Sequence, residues 1–296
     1  MKLGIAGTGK MGAAIAQRLM GLGHEVTVWN RTADKTKGLA AAGAKVATTP
    51  AALAAGSEAV ITILTDAAAI EAVYNGPQGL LSGNVTSKLF IEMSTVRPEA
   101  EVALGPKVKQ KGATLVECPV GGTVGPARDG KLFGFAGGET ADVARAKPLL
   151  DQMCRRVEHV GPIGAGTRMK LAINLPLMVF WQSFGEALAL CAPLGLDPNR
   201  VVEIFADSSG GPNLLKGRGA VIAKVLKGED AGATMFDVDS MRKDLRSMID
   251  EAKALGSGAP VSERALECFD EASKEGLGAA DMAALPARWM RRAART

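Results

Sequence analysis

The sequence begins MKLGIAGTGKMGAAIAQRLMGLGHEVTVWNRT (residues 1–32), a stretch in which a glycine-rich turn is flanked by two apolar segments. Lys2–Ala6 is short and apolar, which predicts a buried strand. A helical pattern follows over residues 11–22, and residues 26–30 alternate as a second strand. This order of strand, glycine turn, helix and strand predicts a dinucleotide-binding unit.

The turn Gly7-Thr8-Gly9-Lys10-Met11-Gly12 supplies the cofactor-binding residues of this prediction. Gly7 permits a tight turn, Gly9 lets backbone N–H groups approach a pyrophosphate, and Gly12 lets the helix pack on the strand. The positive end of the helix dipole then faces the phosphates. A purely structural turn is the alternative, and the complete unit around the glycines favours cofactor binding.

The end of the second strand indicates which dinucleotide is bound. NAD-binding units place a carboxylate there for the ribose 2′-hydroxyl, whereas this chain has Asn30, Arg31 and Thr32. A guanidinium beside two small polar groups would accept a 2′-phosphate, and such a charge-assisted bond is worth roughly 1.5–3 kcal/mol. We therefore predict NADP(H) as the cofactor; the alternative is that Arg31 is a solvated loop residue.

Composition excludes several other classes of protein. The 296 residues are 47% hydrophobic and 22% charged, which is ordinary for a globular chain of one large or two smaller domains. A net charge of +4 is too balanced to favour nucleic acid or an anionic membrane as partner, and no apolar run is predicted to span a membrane. Two histidines and four scattered cysteines predict no metal site, reduced thiols and a cytoplasmic location.

Beyond the opening unit, strands and helices alternate to about residue 160, which predicts a Rossmann-type, doubly wound parallel sheet. A fully apolar strand at 59–64 ends in Thr65, at the sheet edge where ligands bind. The remaining pattern is helical and starts with one long apolar helix. We predict an α/β fold with an NADP-binding domain (1–162), an all-α domain for substrate and dimerisation (163–296) and a long interdomain helix. Since the helical domain buries little surface alone, we expect a homodimer or homotetramer.

Two polar residues in the long helix suggest the chemistry. Lys170 and Asn174 are four residues apart and share a helix face, with Gly166 one turn earlier. Hydride transfer to a carbonyl develops negative charge on oxygen and requires a proton, and an ammonium can stabilise the first and supply the second. A solvated surface lysine is the ordinary alternative, and the residues alone leave both interpretations open.

Ordered motifs over nearly the whole chain resemble those of the β-hydroxyacid dehydrogenase family. They are Gly7-x-Gly9-x-x-Gly12, Glu92-Met-Ser94-Thr95-x-x-Pro98, Cys118-Pro119-Val120-Gly121-Gly122-Thr123, Gly164-x-Gly166-x-x-x-Lys170-x-x-x-Asn174, Phe236 with Lys243-Asp244-Leu245, and Gly278-x-x-Asp281. The family includes 3-hydroxyisobutyrate dehydrogenase and the glyoxylate/succinic semialdehyde reductases. The resemblance therefore implies hydride transfer between NADP(H) and a small carboxylate-bearing aldehyde or hydroxyacid.

The resemblance also implies a role for each matching position. Lys170 would be the catalytic acid/base, and Asn174 would help to hold the substrate. The substrate carboxylate would be bound by Ser94, Gly121, Gly122 and Thr123. Thr95 and Lys243 would lie near the nicotinamide end of the cofactor. Leu64 and Thr65 would flank its ribose and pyrophosphate. Each of these roles has a structural alternative. Gly121-Gly122 could form an ordinary turn, and Lys243–Asp244 an exposed ion pair. Ser94-Thr95 could cap a helix, which we expect in addition to a binding role.

Three departures from the family pattern surround the substrate. Gly121 stands where the family usually has Ser, Ile173 where a polar residue is common, and Pro176 predicts a kink in the long helix.

Two other functions are considered. An imine reductase shares this architecture but usually has Asp or Tyr in place of Lys170, and a non-catalytic NADP-binding protein would be expected to lack that lysine.

Overall fold

One nine-stranded sheet forms the centre of the first compact unit, residues 1–172, in the computed structural model, which describes residues 1–293. The strands are β1 (Lys2–Ala6), β2 (Glu25–Trp29), β3 (Lys45–Val46), β4 (Ala59–Thr62), β5 (Leu89–Glu92), β6 (Thr114–Glu117), β7 (Val120–Gly121), β8 (Leu132–Gly137) and β9 (Cys154–Gly161). Their order is β3-β2-β1-β4-β5-β6-β8-β7, with β9 paired to β8. The first six follow the Rossmann order, in which the strand sequence reverses between β1 and β4.

Both faces of this sheet are covered, which explains why β4 and β5 are apolar without interruption. Ile61 and Ile91 pack into one hydrophobic cluster, whereas their neighbours Val60 and Phe90 pack into a second cluster on the opposite face. Successive side chains of a strand point to opposite faces, so a strand buried on both sides needs apolar residues at every position. The predicted Rossmann-type core is confirmed.

The far edge of the sheet differs from the wholly parallel arrangement that the sequence predicts. The pairs from β3 to β6 are parallel, but β8 runs antiparallel to both β6 and β7. The connection from β7 to β8 is residues 122–131, which include a six-residue helix, and a parallel connection needs a crossover of a dozen or more residues. The predicted doubly wound parallel sheet is confirmed from β3 to β6, and β8 adds antiparallel pairs with β6 and β7 at this edge.

Seven helices accompany the strands of the first unit, residues 1–172. They are α1 (Lys10–Gly21), α2 (Lys37–Ala41), α3 (Pro50–Ala55), α4 (Ala67–Asn75), α5 (Pro98–Gln110), α6 (Val124–Asp129) and α7 (Thr140–Leu150). A 3₁₀ turn at Ala33–Thr36 precedes α2. The cap predicted at Ser94-Thr95 is wrong, since Arg97 occupies the N-cap position of α5 and makes no side-chain cap bond.

The predicted long helix is confirmed as α8 (Ala165–Cys191), which continues across Pro176. The chain divides into its two compact units at Ala172–Ile173, inside this helix, whereas the domain boundary predicted at 162–163 precedes it and stays a prediction. Residues 165–194 are long and apolar enough to span a membrane, contrary to our expectation that no run has that length. Long helices of globular proteins pass the same test of length and composition.

The second unit is described over residues 173–293. Beyond its part of α8, it contains α9 (Pro198–Asp207), α10 (Leu214–Leu226), α11 (Val238–Ala254), α12 (Pro260–Ala272) and α13 (Ala284–Ala293). In this described part, the β-structure is limited to one isolated bridge, Asp237 to Asp281, which agrees with the all-helical prediction. Asp281 accepts a 2.5 Å bond from buried Arg218, so the predicted Gly278-x-x-Asp281 motif includes a buried ion pair.

Candidate functional site

A cavity of about 320 Å³ lies beyond the carboxyl ends of β1, β2 and β4, at the point where the strand order reverses. Open α/β sheets bind their ligands in this crevice. The predicted cofactor residues that line it are Gly7, Gly9, Asn30, Arg31, Thr32, Leu64 and Thr65. The fold therefore brings together residues from three separate parts of the predicted site.

The glycine turn has the geometry that dinucleotide binding requires. Gly7 has a φ of +97°, and a Cβ atom there would lie 2.1 Å from the carbonyl oxygen of Ile63. A Cβ atom at Gly12 would lie 1.9 Å from the carbonyl oxygen of Gly7, whereas no atom lies within 4 Å of a Cβ built at Gly9. Gly7 and Gly12 are thus needed for packing, and Gly9 leaves open space before α1 in which a pyrophosphate fits.

Thr8, Lys10, Met11 and Gly12 do not line the cavity. Thr8 is buried, with its N–H donating to Asn30 Oδ1 (3.1 Å) and its hydroxyl donating to the Lys35 carbonyl (3.1 Å). Its side chain therefore joins the glycine turn to the loop after β2. Lys10 is exposed and Met11 half-buried in the first turn of α1.

Two cations lie on the wall formed by the loop after β2. Arg31 and Lys35 both line the cavity and are exposed. The side-chain amide of Asn30 donates to the Thr32 carbonyl (3.0 Å), so Asn30 shapes the loop instead of adding charge. Lys35 was missed in the sequence analysis, and its signal was a second cation four residues after Arg31. Both cations add positive charge to this wall of the cavity.

The opposite wall of the cavity is mostly apolar and was also missed. It consists of Pro50, Ala69, Ala72, Val73, Gly76, Pro77, Gln78 and Gly79, and Trp29 and Ile63 complete the lining. Ligand pockets typically combine such an apolar surface with a few polar groups. An aromatic base beside a charged phosphate matches this division of the cavity.

Ser94 lies behind the cavity wall and is fully engaged. Its hydroxyl accepts a bond from the Leu64 N–H (2.7 Å) and donates to Glu92, whose other carboxyl oxygen accepts from the Ser94 N–H (2.9 Å). Ser94 is 1% exposed, so it supports the Leu64 segment of the cavity. Its implied contact with a substrate carboxylate stays a prediction, as does the role of half-buried Thr95.

The turn Gly121-Gly122-Thr123 connects β7 to α6. Gly122 has a φ of +124°, which confirms a turn that favours glycine. Thr123 is the N-cap residue of α6 without a side-chain cap bond. A Cβ atom built at Gly121 would meet its nearest neighbours at 3.8 Å, an ordinary contact distance. Gly121 therefore has room for a larger side chain.

Lys170 lies near the start of α8 and is 8% exposed. One turn earlier, Gly166 packs so tightly that a Cβ atom would lie 2.2 Å from the Phe135 carbonyl oxygen of β8. This burial disfavours the interpretation of Lys170 as a solvated surface residue.

Two further predicted residues, Asn174 and Lys243, belong to the second unit. The ammonium of Lys243 lies 2.9 Å from a carboxyl oxygen of Asp244, and the Lys243 side chain is 43% exposed. The alternative of an exposed Lys243–Asp244 pair is therefore confirmed only in part: the ion pair forms, but Asp244 is buried. The roles that the resemblance implies for Asn174 and Lys243 stay predictions.

Comparisons with known proteins agree with the fold and the glycine turn. A family model of the NAD-binding domain of 6-phosphogluconate dehydrogenase matches residues 2–161, and one described as the NAD-binding domain of NADP-dependent 3-hydroxyisobutyrate dehydrogenase matches residues 164–289. The chain is 34% identical to a 3-hydroxyisobutyrate dehydrogenase of Pseudomonas aeruginosa, with 92% of this chain and 93% of that protein covered. It is 30% identical to the chloroplastic glyoxylate/succinic semialdehyde reductase 2 of Arabidopsis thaliana, with 96% and 78% covered.

Solved structures give the same result. A 3-hydroxyisobutyrate dehydrogenase of Mycobacterium tuberculosis, solved with L-serine, superposes with a TM-score of 0.82 at 25% identity and covers 96% of this chain and 97% of its own. An imine reductase from a Pseudomonas species superposes with a TM-score of 0.62 at 20% identity, covering 96% and 97%. The second likeness concerns the fold alone.

Proposed function

The chain belongs to the β-hydroxyacid dehydrogenase family, and from this premise we propose that it is an NADPH-dependent reductase of small carboxylate-bearing aldehydes and 2-oxo acids. The reaction would run reversibly as a hydroxyacid dehydrogenation. Members of this family are nicotinamide-dependent oxidoreductases, which fits the cavity at the strand reversal. The observation that carries the finer proposal is the burial of Lys170 near the start of α8.

The choice of NADPH over NADH is supported by charge at the loop after β2. Arg31 and Lys35 line the cavity where NAD-binding proteins usually have a carboxylate. A carboxylate would repel a 2′-phosphate, whereas each charge-assisted bond to it contributes roughly 1.5–3 kcal/mol. The NADP-dependent description of the family model over 164–289 agrees with this choice.

When bound, NADPH would supply a hydride to the carbonyl carbon. Lys170 stabilises the negative charge that develops on the carbonyl oxygen and delivers the proton that completes the hydroxyl group. In the reverse direction, the neutral amine of Lys170 accepts the hydroxyl proton. A positioned acid/base of this kind contributes about 10²–10⁴-fold in rate.

The proposed substrate class is supported by the relatives and by the turn after β7. Two relatives are named for 3-hydroxyisobutyrate and for glyoxylate or succinic semialdehyde, all of them small carboxylates. The solved relative holds L-serine, which also combines a carboxylate with a hydroxyl group. Gly121 lacks a side chain but has free space around it, so the proposed pocket would accept a chain longer than that of glyoxylate.

The proposal is tested by measuring NADPH oxidation with glyoxylate, succinic semialdehyde and a cyclic imine in parallel. We expect turnover of the two aldehydes, with NADH a poorer cofactor for both. Turnover of the imine alone would replace the hydroxyacid assignment by imine reduction. NADPH binding without turnover of any carbonyl compound would indicate a non-catalytic protein.

We also propose a cytoplasmic homodimer or homotetramer. The proposal rests on the small size of a helical unit of about one hundred and twenty residues, which buries limited surface by itself. Light scattering coupled to size-exclusion chromatography measures the oligomeric state directly. A monomeric mass at micromolar concentration would refute the proposed assembly.

A further inference from the structure

We propose that Glu117 is a positioning residue for Lys170: its carboxylate, at the end of β6, holds the first turn of α8 and so fixes where the lysine leaves the helix. This inference rests on the proposed function, because it takes Lys170 as the acid/base. Both residues belong to the first compact unit. Glu117 is not part of the proposed chemistry and would act only through the helix.

The two carboxyl oxygens of Glu117 are bound by four donors from one short segment. Oε1 accepts from the N–H groups of Gly164 (2.5 Å) and Gly166 (2.9 Å). Oε2 accepts from the Thr167 N–H (3.2 Å) and from the Thr167 hydroxyl. An ionised carboxylate can accept all four bonds, whereas a protonated one would present a hydrogen to donors that already fill the site.

These donors are the groups that a helix start leaves without partners. The first N–H groups of an α-helix have no intrahelical acceptor, and a negative charge there also interacts favourably with the helix dipole. In most helices a residue of the same segment supplies the cap. Here the cap comes from a strand some fifty residues earlier, so that it couples the position of α8 to the sheet.

Lys170 lies in α8 directly after the turn that Glu117 holds. It follows Thr167 by three residues and Gly166 by four, which places it on the same side of the helix, one turn further along. A shift or rotation of this turn would therefore move the ammonium directly. Since Lys170 is buried, its side chain has little freedom to compensate for such a shift.

Glycines around Glu117 make this arrangement specific. Gly137 of β8 faces Glu117 in the strand ladder, and a Cβ atom there would lie 2.3 Å from Glu117 Oε1. Gly164 has a φ of +96°, which lets the chain turn its N–H toward the carboxylate. Gly166 allows the helix to lie directly on Phe135 of β8. Sheet, loop and helix are thus shaped to place one carboxylate against one helical turn.

The effect of Glu117 on the chemistry can be separated from an effect on stability. Glu117→Gln keeps the shape and one acceptor oxygen but replaces the other oxygen by an amide nitrogen, which cannot accept from these donors. We expect kcat for the aldehyde that proves the better substrate to fall about 10- to 100-fold, the loss typical of a small misplacement of a reacting group. We expect KM and the NADPH dissociation constant to change less than threefold. Glu99→Gln, an exposed carboxylate on α5, is the matched control.

A double mutant tests whether the effect passes through the lysine. If Glu117 acts only by positioning Lys170, Glu117→Gln should reduce kcat in the natural chain and have no further effect in Lys170→Ala. An equal loss in both backgrounds would overturn the inference while leaving the acid/base role of Lys170 intact. Full activity of Lys170→Ala would instead refute the proposed function and, with it, the role of Glu117.

A readout independent of activity is hydrogen–deuterium exchange of the peptide that contains residues 164–170. Glu117→Gln should accelerate exchange in this peptide and leave the β1 peptide unchanged. If Glu117→Gln does not fold, two variants of Thr167 take its place. Thr167→Val removes the hydroxyl, one of the four donors, and Thr167→Ser keeps it. Lower kcat and faster exchange in Thr167→Val but not in Thr167→Ser support the inference. Unchanged kcat or unchanged exchange in the folded Glu117→Gln protein, or identical behaviour of the two Thr167 variants, overturns it.

Discussion

Glu92 and Glu117 are direct partners in the ladder between β5 and β6, so their carboxyl groups leave the sheet on the same face. Both are fully buried, and Glu101 of α5 adds a third buried carboxyl group. Burial raises the pKa of all three, and the neighbouring Glu92 charge helps to raise the pKa of Glu101 well above its usual range. A hydrogen bond between the side chains of Glu101 and Glu92 acts in the same direction, raising the pKa of Glu101 and lowering that of Glu92.

The first prediction concerns stability against pH. The unfolded chain releases the Glu101 proton near pH 4.5, whereas the folded chain retains it to higher pH. The folded state therefore binds more protons above pH 4.5, and the free energy of unfolding falls by about 1.4 kcal/mol per pH unit until the folded carboxyl ionises. Glu101→Gln stays neutral and can still donate to Glu92. Urea unfolding should show Glu101→Gln to be more stable than the natural chain at pH 7, with no difference at pH 4. If the free energy of unfolding depended on pH in the same way for both proteins, this account would be contradicted.

The second prediction separates two glycines of the same turn. Gly12→Ala places a methyl group 1.9 Å from the Gly7 carbonyl oxygen, and overpacking of this kind costs about 1–3 kcal/mol or more. Gly9→Ala meets no atom within 4 Å, so its unfolding temperature should be close to that of the natural chain. Its methyl group would instead obstruct the pyrophosphate and weaken NADPH binding. Thermal unfolding without cofactor measures the loss of stability, and calorimetric titration with NADPH measures the loss of binding. Equal destabilisation by both variants would contradict the separate roles of Gly9 and Gly12.

The parts of this molecule that sequence predicted well are those whose partners are close in the chain. The unit β1–α1–β2 could be predicted because its apolar periods and its glycines lie within thirty-two residues. The two-residue strand β7 is too short to show a period. The four bonds of Glu117 could not be predicted because their donors lie about fifty residues later. The same limit explains the wrong prediction that Ser94 caps α5. The Ser94 hydroxyl accepts from the Leu64 N–H, a donor that lies thirty residues earlier and that no local pattern indicates.

The third prediction concerns the acid/base. Lys170→Ala and the longer, uncharged Lys170→Met should lower kcat by at least about 100-fold, because both remove the proton donor and the stabilising charge. NADPH binding, measured by fluorescence titration, should change little since Lys170 does not line the cofactor cavity. Comparable activity of Lys170→Met and the natural chain would remove this ammonium from the mechanism. Loss of NADPH binding by both variants would point to a structural role instead.

The fourth prediction concerns the loop after β2. Arg31→Ala should weaken NADPH binding by up to about 3 kcal/mol, and Lys35→Ala by less, because each removes one charge near the 2′-phosphate. NADH binding should be unaffected by either change. Lys37→Ala is the control, since Lys37 is exposed and pairs with Asp34 at 2.8 Å. Calorimetry with both cofactors decides the matter, and equal losses for NADH and NADPH would show that these cations do not select the phosphate.

The last prediction uses the space beside Gly121. The resemblance to the β-hydroxyacid dehydrogenases implies serine at this position, and a Cβ atom here meets its nearest neighbours at an unstrained 3.8 Å. Gly121→Ser should therefore fold normally and offer a hydroxyl to the substrate carboxylate, a bond to a charged group worth about 1.5–3 kcal/mol. We expect KM for glyoxylate to fall at least about tenfold, with a smaller gain for the longer succinic semialdehyde, because the added side chain also occupies part of the pocket. Gly121→Ala fills similar space without the hydroxyl, so identical KM values for the two variants would mean that the carboxylate binds elsewhere.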